Sequence, residues 1–132
     1  MTAPGDPEPL ESGPLQGVTV VELAHWMAAP AAGGVLADWG ADVIKVEPHG
    51  GEPMRRIWGS AGANPDAPNG GFTSANRGKR SLELDVRGPA GREALDRLLD
   101  RADVLLSNLR PSALPPPRST TTPPTSPSRT SP

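Results

Sequence analysis

The stretch "GVTVVELAHWMAAPAAGGVLADWGADVIKVE", Gly17–Glu47, decides the fold. Two short apolar runs flank a segment with helical spacing. Val18, Val20 and Val21 in the first run and Val43, Ile44 and Val46 in the second are β-branched. Short, mostly apolar runs of this kind suit strands buried on both faces, as in a parallel sheet. Between them, Pro30 is tolerable in a helix's first turn, where its missing N–H has no partner anyway. Val35, Leu36 and Trp39 fall at i, i+1 and i+4 and predict a buried stripe. Gly33 and Gly34 each cost about 1 kcal/mol relative to Ala in a helix. Their presence predicts either close backbone packing or a ligand. Gly40 is a natural helix stop. Strand, helix, strand in this span is a βαβ unit, with parallel strands and a right-handed crossover.

The pattern continues beyond it. "KRSLELDV", Lys79–Val86, places Leu82, Leu84 and Val86 on one face of a third strand. Pro89 opens a second helix with Ala94, Leu95, Leu98 and Leu99 as its stripe, and Glu93 and Arg97 can pair at i,i+4. "DVLLSN", Asp103–Asn108, is a fourth strand. Strands are expected at about 18–23, 42–47, 81–86 and 103–106, and helices near 29–39 and 89–101. The fold class is α/β, an open, mainly parallel sheet of Rossmann-like βαβ units, incomplete. Pro48–Gly71, with six Gly and four Pro, reads as a long irregular segment with an Asn69-Gly70 turn.

The ends read differently. Residues 1–13 are rich in Pro, Gly and acid, and Pro111–Pro132 holds eight Pro and ten Ser/Thr. Neither offsets its ordering entropy by burial, so both are expected to be disordered, leaving residues 14–110 as the folded part. A net charge of −2 with scattered cations gives no footprint for nucleic acid. The chain has no Cys, and its two His stand far apart in sequence, so neither a disulfide frame nor a metal site is expected. No membrane span and no signal peptide are read, which makes a cytoplasmic location the default.

In open α/β sheets, ligands lie outside the carboxyl ends of the strands. By that rule His25–Ala28, Pro48–Gly51 and Asn108–Arg110 are candidate binding loops. His25 could act as an acid or base, though a lone His at a strand end is more often a structural hydrogen-bonder. Trp26 and Met27 suit packing or flanking a flat ring. Arg77, Lys79 and Arg80 form a basic cluster that could meet phosphates; a solvated loop is the commoner outcome for such a cluster. No G-x-G-x-x-G and no G-x-S-x-G is present. The residues alone point to an α/β binding fragment and leave a phosphorylated ligand open.

"PLQGVTVVELAHWMAAPAAGGVLADWGADVIKVEPHGGEPMR" and "NRGKRSLELDVRGPAGREALDRLLDRADVLLSNLRP" together resemble the opening of the class III CoA-transferases. That group includes formyl-CoA transferase, carnitine CoA-transferase and α-methylacyl-CoA racemase. The resemblance covers about Pro14–Pro111 and is expected to stop by Leu114. It implies a large α/β domain, a small domain and a dimer of interlocked ring-like chains, which this chain alone is not expected to form. It implies acyl-CoA and a carboxylic acid as substrates, CoA lying along the strand ends, and no permanently bound cofactor. By motif position the CoA contacts are His25, Trp26, Met27 and Ala28, then Leu84, Asp85, Val86 and Arg87, then Asn108, Leu109 and Arg110. Pro48 stands where some members carry Arg, and Leu109 where many carry Phe.

The family chemistry implies an Asp nucleophile that forms an acyl anhydride, downstream of the matched stretch. No catalytic residue is therefore assigned here. The composition of residues 111–132 is that of GC-rich coding sequence read out of frame, so a truncated chain, inactive alone, is expected. A fragment of the racemase branch, or a non-catalytic CoA- or nucleotide-binding module, is the alternative. The sheet edge and the Leu95, Leu98 and Leu99 face are expected to lie uncovered.

Overall fold

The computed structural model describes residues 13–57 and 69–114. The elements in order are β1 (Thr19–Leu23), α1 (Ala28–Asp38), β2 (Asp42–Glu47), α2 (Met54–Ile57), α3 (Gly70–Ala75), β3 (Arg80–Glu83), α4 (Pro89–Leu99) and β4 (Val104–Ser107). A 3-10 turn follows at Pro111–Ala113. The expectations for residues 1–12 and 115–132, and for 58–68 of the irregular segment, lie outside the described residues.

The four strands form one parallel sheet in the order β3-β2-β1-β4. The chain steps one way from β1 to β2 and the other way from β3 to β4. Right-handed crossovers therefore put α1 and α4 on opposite faces. Side chains divide accordingly. Val21, Leu23 and Val46 pack with Leu95 of α4, while Val20 and Val43 pack with Leu36 and Ala37 of α1.

α1 departs from expectation in its rotation. Val35 and Trp39 are exposed, and the buried positions are Pro30, Gly33 and Gly34. The helix lies on the sheet by its glycines. A Cβ on Gly33 would fall 2.0 Å from Glu22 Oε2, so only glycine admits that approach. The two glycines expected to mark close packing or a ligand mark close packing.

β3 ends earlier than the alternating leucines predict. Leu84 N makes the last bond to the neighbouring strand, donating to Glu47 O at 2.8 Å. Arg87 N then donates to Asp85 Oδ1 at 3.1 Å, turning Leu84–Arg87 away from the sheet. The irregular segment also contains more order than expected. Asn69 is a helix cap: its Oδ1 accepts from Phe72 N at 3.0 Å, and its Nδ2 donates to Met54 O at 2.6 Å. The expected open leucine face of α4 is covered. Leu95 is fully buried, and Leu98 and Leu99 pack against the core. The exposed apolar side chains are elsewhere, including Val104 and Leu105 on the outer strand β4.

Candidate functional site

Because all four strands are parallel, their carboxyl ends gather at one edge of the sheet. A cleft of about 700 Å³ opens there. Leu23 and His25 line it from the end of β1, and Val46, Glu47, Pro48 and His49 from β2. Leu84, Asp85, Val86 and Arg87 line it after β3, and Leu109, Ser112 and Ala113 after β4. The floor is apolar and continuous with the α4-side core, while the rim carries imidazole, guanidinium and carboxylate groups. Among open α/β sheets this is the position where ligands bind, beside the point where the chain reverses direction between β1 and β4.

Six of the eleven residues named from the sequence meet in this cleft: His25, Leu84, Asp85, Val86, Arg87 and Leu109. Trp26, Met27 and Ala28 do not line it; they lie exposed on the adjoining loop and the start of α1. Arg110 is exposed and caps the 3-10 turn. Asn108 acts through the backbone. Its Oδ1 accepts from His25 N at 3.0 Å and its Nδ2 donates to His25 O at 2.8 Å. Ser107 Oγ adds a bond to Leu23 O at 2.7 Å. Together they fix the β1 and β4 end loops to each other. Trp26, next along the chain, holds φ +71°, a left-handed conformation that is costly for a bulky residue. It is held between the Asn108 clamp on one side and the first bond of α1, Ala31 N to Met27 O at 2.7 Å, on the other.

Of the Pro48–Gly51 loop that the carboxyl-end rule named, Pro48 and His49 line the cleft. His49 is almost wholly exposed, and its Nδ1 contacts Glu83 Oε1. Glu47 is buried and fully engaged. Arg55 reaches it with two bonds of 2.6 Å, Ser81 Oγ donates at 2.7 Å, and Glu52 N donates at 3.0 Å. Burial pushes this carboxyl up, but those donors outweigh it and hold its pKa at about 2.

Beneath the β2 end lies a buried ionic cluster that sequence reasoning missed. Glu22 and Lys45 are register partners on β1 and β2, both facing the α1 side. Lys45 Nζ meets Glu22 Oε1 at 2.9 Å and Glu52 Oε2 at 3.2 Å, and Lys79 Nζ meets Glu22 Oε2 at 2.7 Å. Lys79 also donates to Pro30 O at 2.7 Å and Asn76 Oδ1 at 3.0 Å, tying α1 and α3 to the sheet. All four side chains are essentially buried, with two positive and two negative charges in balance. Neither oxygen of Glu52 receives a well-aligned hydrogen bond, so Lys45 meets it as a charge contact. Burial pulls the Lys79 ammonium below the usual lysine range, against the pull of Glu22.

The basic cluster is thereby accounted for. Lys79 is sealed against Glu22, Arg77 pairs with Asp38, and Arg80 pairs with Asp42. Arg77 and Arg80 stay on the solvated surface, as the commoner outcome for such a cluster has it, and Lys79 alone is withdrawn into the interior. The available signal was a Glu and a Lys inside two otherwise apolar strands. On strands whose register pairs them, such residues must face each other. No group of three or more acidic, His or Cys side chains suited to a metal ion occurs among the described residues. No helix among them is long and apolar enough to cross a membrane.

Comparison with known proteins bears on the same span. The model of CoA-transferase family III matches residues 15–121, running past Leu114 where the resemblance was expected to stop. The (R)-2-hydroxy-4-methylpentanoate CoA-transferase of Clostridioides difficile is 40% identical over 102 residues, which are 76% of this chain and 25% of that protein. The succinate–glutarate CoA-transferase of Agrobacterium fabrum is 42% identical over 113 residues, 80% of this chain and 28% of that one. Among solved structures, Rv3272 from Mycobacterium tuberculosis superimposes with a TM-score of 0.68 at 38% identity, covering 77% of this chain and 27% of that one. A CAIB/BAIF family protein from Brucella suis gives 0.66 at 42% identity, covering 75% and 26%. The chain spans about a quarter of the length of the curated relatives it matches. With its sequence and its fold in agreement with theirs, the chain belongs to CoA-transferase family III.

Proposed function

We propose that the cleft at the strand ends holds the CoA part of an acyl-CoA, and that the chain by itself binds CoA without transferring it. The observation that carries this is the convergence of His25, Leu84–Arg87 and Leu109 on one cleft at the carboxyl edge of a parallel sheet. An apolar floor with a few polar groups on its rim suits a long, partly apolar ligand with a charged end. The matched relatives are named as CoA-transferases acting on several different acids, which supports a shared CoA site and leaves the acyl group unassigned. In the full family reaction CoA passes from an acyl-CoA to a carboxylic acid. That reaction, a cytoplasmic location and the interlocked dimer belong to the complete family chain in this reading.

Titration calorimetry tests it. The purified chain, shown by circular dichroism to be folded, is expected to give a saturable heat with CoA in the millimolar range. A folded sample that gives no heat rejects the CoA site.

A further inference from the structure

We propose that Arg55 is a positioning residue for the ligand cleft: it acts on CoA through the loop Pro48–Gly51, which it holds as the β2-end wall of the cleft. This rests on the reading of the cleft as a CoA site. Pro48 and His49 are the part of the loop that lines the cleft. Arg55 does not line it. It lines a second, smaller cavity of about 330 Å³, which shares Glu47 with the first.

The loop has little of its own to keep it in one shape. Gly50 and Gly51 stand side by side at φ +77° and +81°, a left-handed region that glycine enters freely, and glycine gives up the most conformational freedom when ordered. Within the loop, Gly51 N donates to Pro48 O at 2.9 Å. Further restraint comes from α2. The Arg55 guanidinium donates to both oxygens of the buried Glu47 carboxylate at 2.6 Å, and Glu47 Oε2 also accepts from Glu52 N at 3.0 Å. One carboxylate therefore joins the residue before the loop to the residue after it. The Arg55 stem lies on the loop itself, since a Cβ at Gly51 would fall 2.6 Å from Arg55 Cδ. Arg56 Nη2 donates to Gly50 O beside it. Arg55 is fixed in turn by α3. Its guanidinium lies 4.0 Å from the centroid of the Phe72 ring, and Asn69, which caps α3, donates to Met54 O at 2.6 Å.

A point charge does not replace this contact. Two parallel bonds fix both the distance and the plane of the carboxylate, and lysine offers no such fork. With no cation at position 55, Glu47 keeps Ser81 Oγ and Glu52 N as donors, and opening of the loop lets water reach a buried charge. Opening removes the wall. CoA then binds the closed fraction alone, and its apparent affinity falls by that fraction.

Calorimetry with CoA and hydrogen exchange on the intact 132-residue chain test this together. Arg55→Gln is expected to weaken CoA binding about tenfold, and Arg55→Lys about threefold. A tenfold loss means a loop open about nine-tenths of the time, so without CoA the amides of Gly51 and Glu52 should exchange at close to the unprotected rate. Those of β1 and β2 should keep their protection, and saturating CoA should restore that of the loop. Arg80→Gln breaks the Arg80–Asp42 pair at the other end of β2 and is expected to change neither reading. Unchanged affinity in folded Arg55→Gln overturns the proposal and leaves the CoA site standing; if that variant does not fold, Arg55→Lys decides by the same criterion. Weaker binding without faster loop exchange, exchange raised equally in β1 and β2, or an equal loss in Arg80→Gln also overturns it. No binding of CoA by the unaltered chain overturns both readings.

Discussion

Asn108 holds the backbone of His25 from both sides, accepting its N–H at 3.0 Å and donating to its carbonyl at 2.8 Å. The contact joins the β1 and β4 end loops across 83 positions of sequence. It is the side-chain equivalent of one more rung of parallel ladder, placed where the two strands part. Asn108→Ala removes both bonds. About 1–2 kcal/mol of stability should be lost, since the freed groups lie near solvent and can rehydrate. Asn108→Asp keeps the acceptor and loses the donor, and should fall between. Urea denaturation of the three proteins checks the order; equal midpoints would show that the clamp adds nothing.

The Gly33 approach gives a sharper contrast. A methyl group at that position would meet Glu22 Oε2 at 2.0 Å and Lys79 Cε at 3.0 Å. Gly33→Ala must either lift α1 or break the buried ion pair, and should cost about 3 kcal/mol or more, despite the helix propensity it gains. Ala32→Gly on the exposed side of the same helix should cost only about 1 kcal/mol. If the two variants unfold at the same denaturant concentration, the glycine face is not the packing face.

The buried cluster makes a prediction about balance. Lys79→Met leaves Glu22 and Glu52 to share Lys45, one uncompensated charge in the interior. That should cost about 3–5 kcal/mol, enough to unfold most of a marginal domain. Adding Glu22→Gln leaves Lys45 facing Glu52 alone, restoring neutrality. The double variant should therefore recover more than half of the loss, a coupling that thermal unfolding of the single and double variants reads directly.

How much of this was legible in the sequence follows from what each element depends on. β1, α1, β2, α4 and β4 were readable because apolar period and flanking Gly or Pro act locally. The rotation of α1 was not, because Val35 and Trp39 look like core in isolation. What turns them outward is the Glu22–Lys79 pair below Gly33, made by residues 57 positions apart. β3 was drawn too long because alternation of Leu82, Leu84 and Val86 persists through a turn that Asp85 makes with its own backbone. Asn69 was read as a turn because Asn-Gly serves a turn and a helix cap equally well; the carbonyl of Met54 decides it. For the site, the carboxyl-end rule found three loops. Motif position then added Leu84–Arg87, and left out His49, which no motif marks.

Stability should also depend on acid through Glu47. Its carboxyl is held at about 2, against 4.5 unperturbed, by Arg55, Glu52 N and Ser81 acting against burial. A carboxyl depressed in the folded state contributes fully above its unfolded value and loses that contribution as pH falls towards the folded one. The amount is about 3 kcal/mol. Denaturation midpoints measured from about pH 6 down to about pH 2 should fall through that window, and Glu47→Gln should flatten the fall. A slope unchanged in Glu47→Gln would assign the acid sensitivity to other carboxyls.

The final expectation is that this chain alone turns over no CoA ester. Covalent transfer needs a carboxylate free to attack an acyl carbonyl. Two carboxylates line the cleft, Glu47 and Asp85. Glu47 is bound by four donors from Arg55, Ser81 and Glu52, and with its pKa near 2 it is a weak nucleophile. Asp85 is turned to the N–H of Arg87, in the turn that shapes the cleft wall. Family resemblance implies an Asp nucleophile outside the matched stretch, and the chain spans about a quarter of its relatives. The assay incubates the purified chain with formyl-, succinyl- and carnitinyl-CoA and a set of carboxylic acids, following new thioester by chromatography. No product above a buffer blank is expected. Turnover that tracks the protein through purification, and disappears in Asp85→Asn, would give Asp85 the nucleophile's role and refute this account.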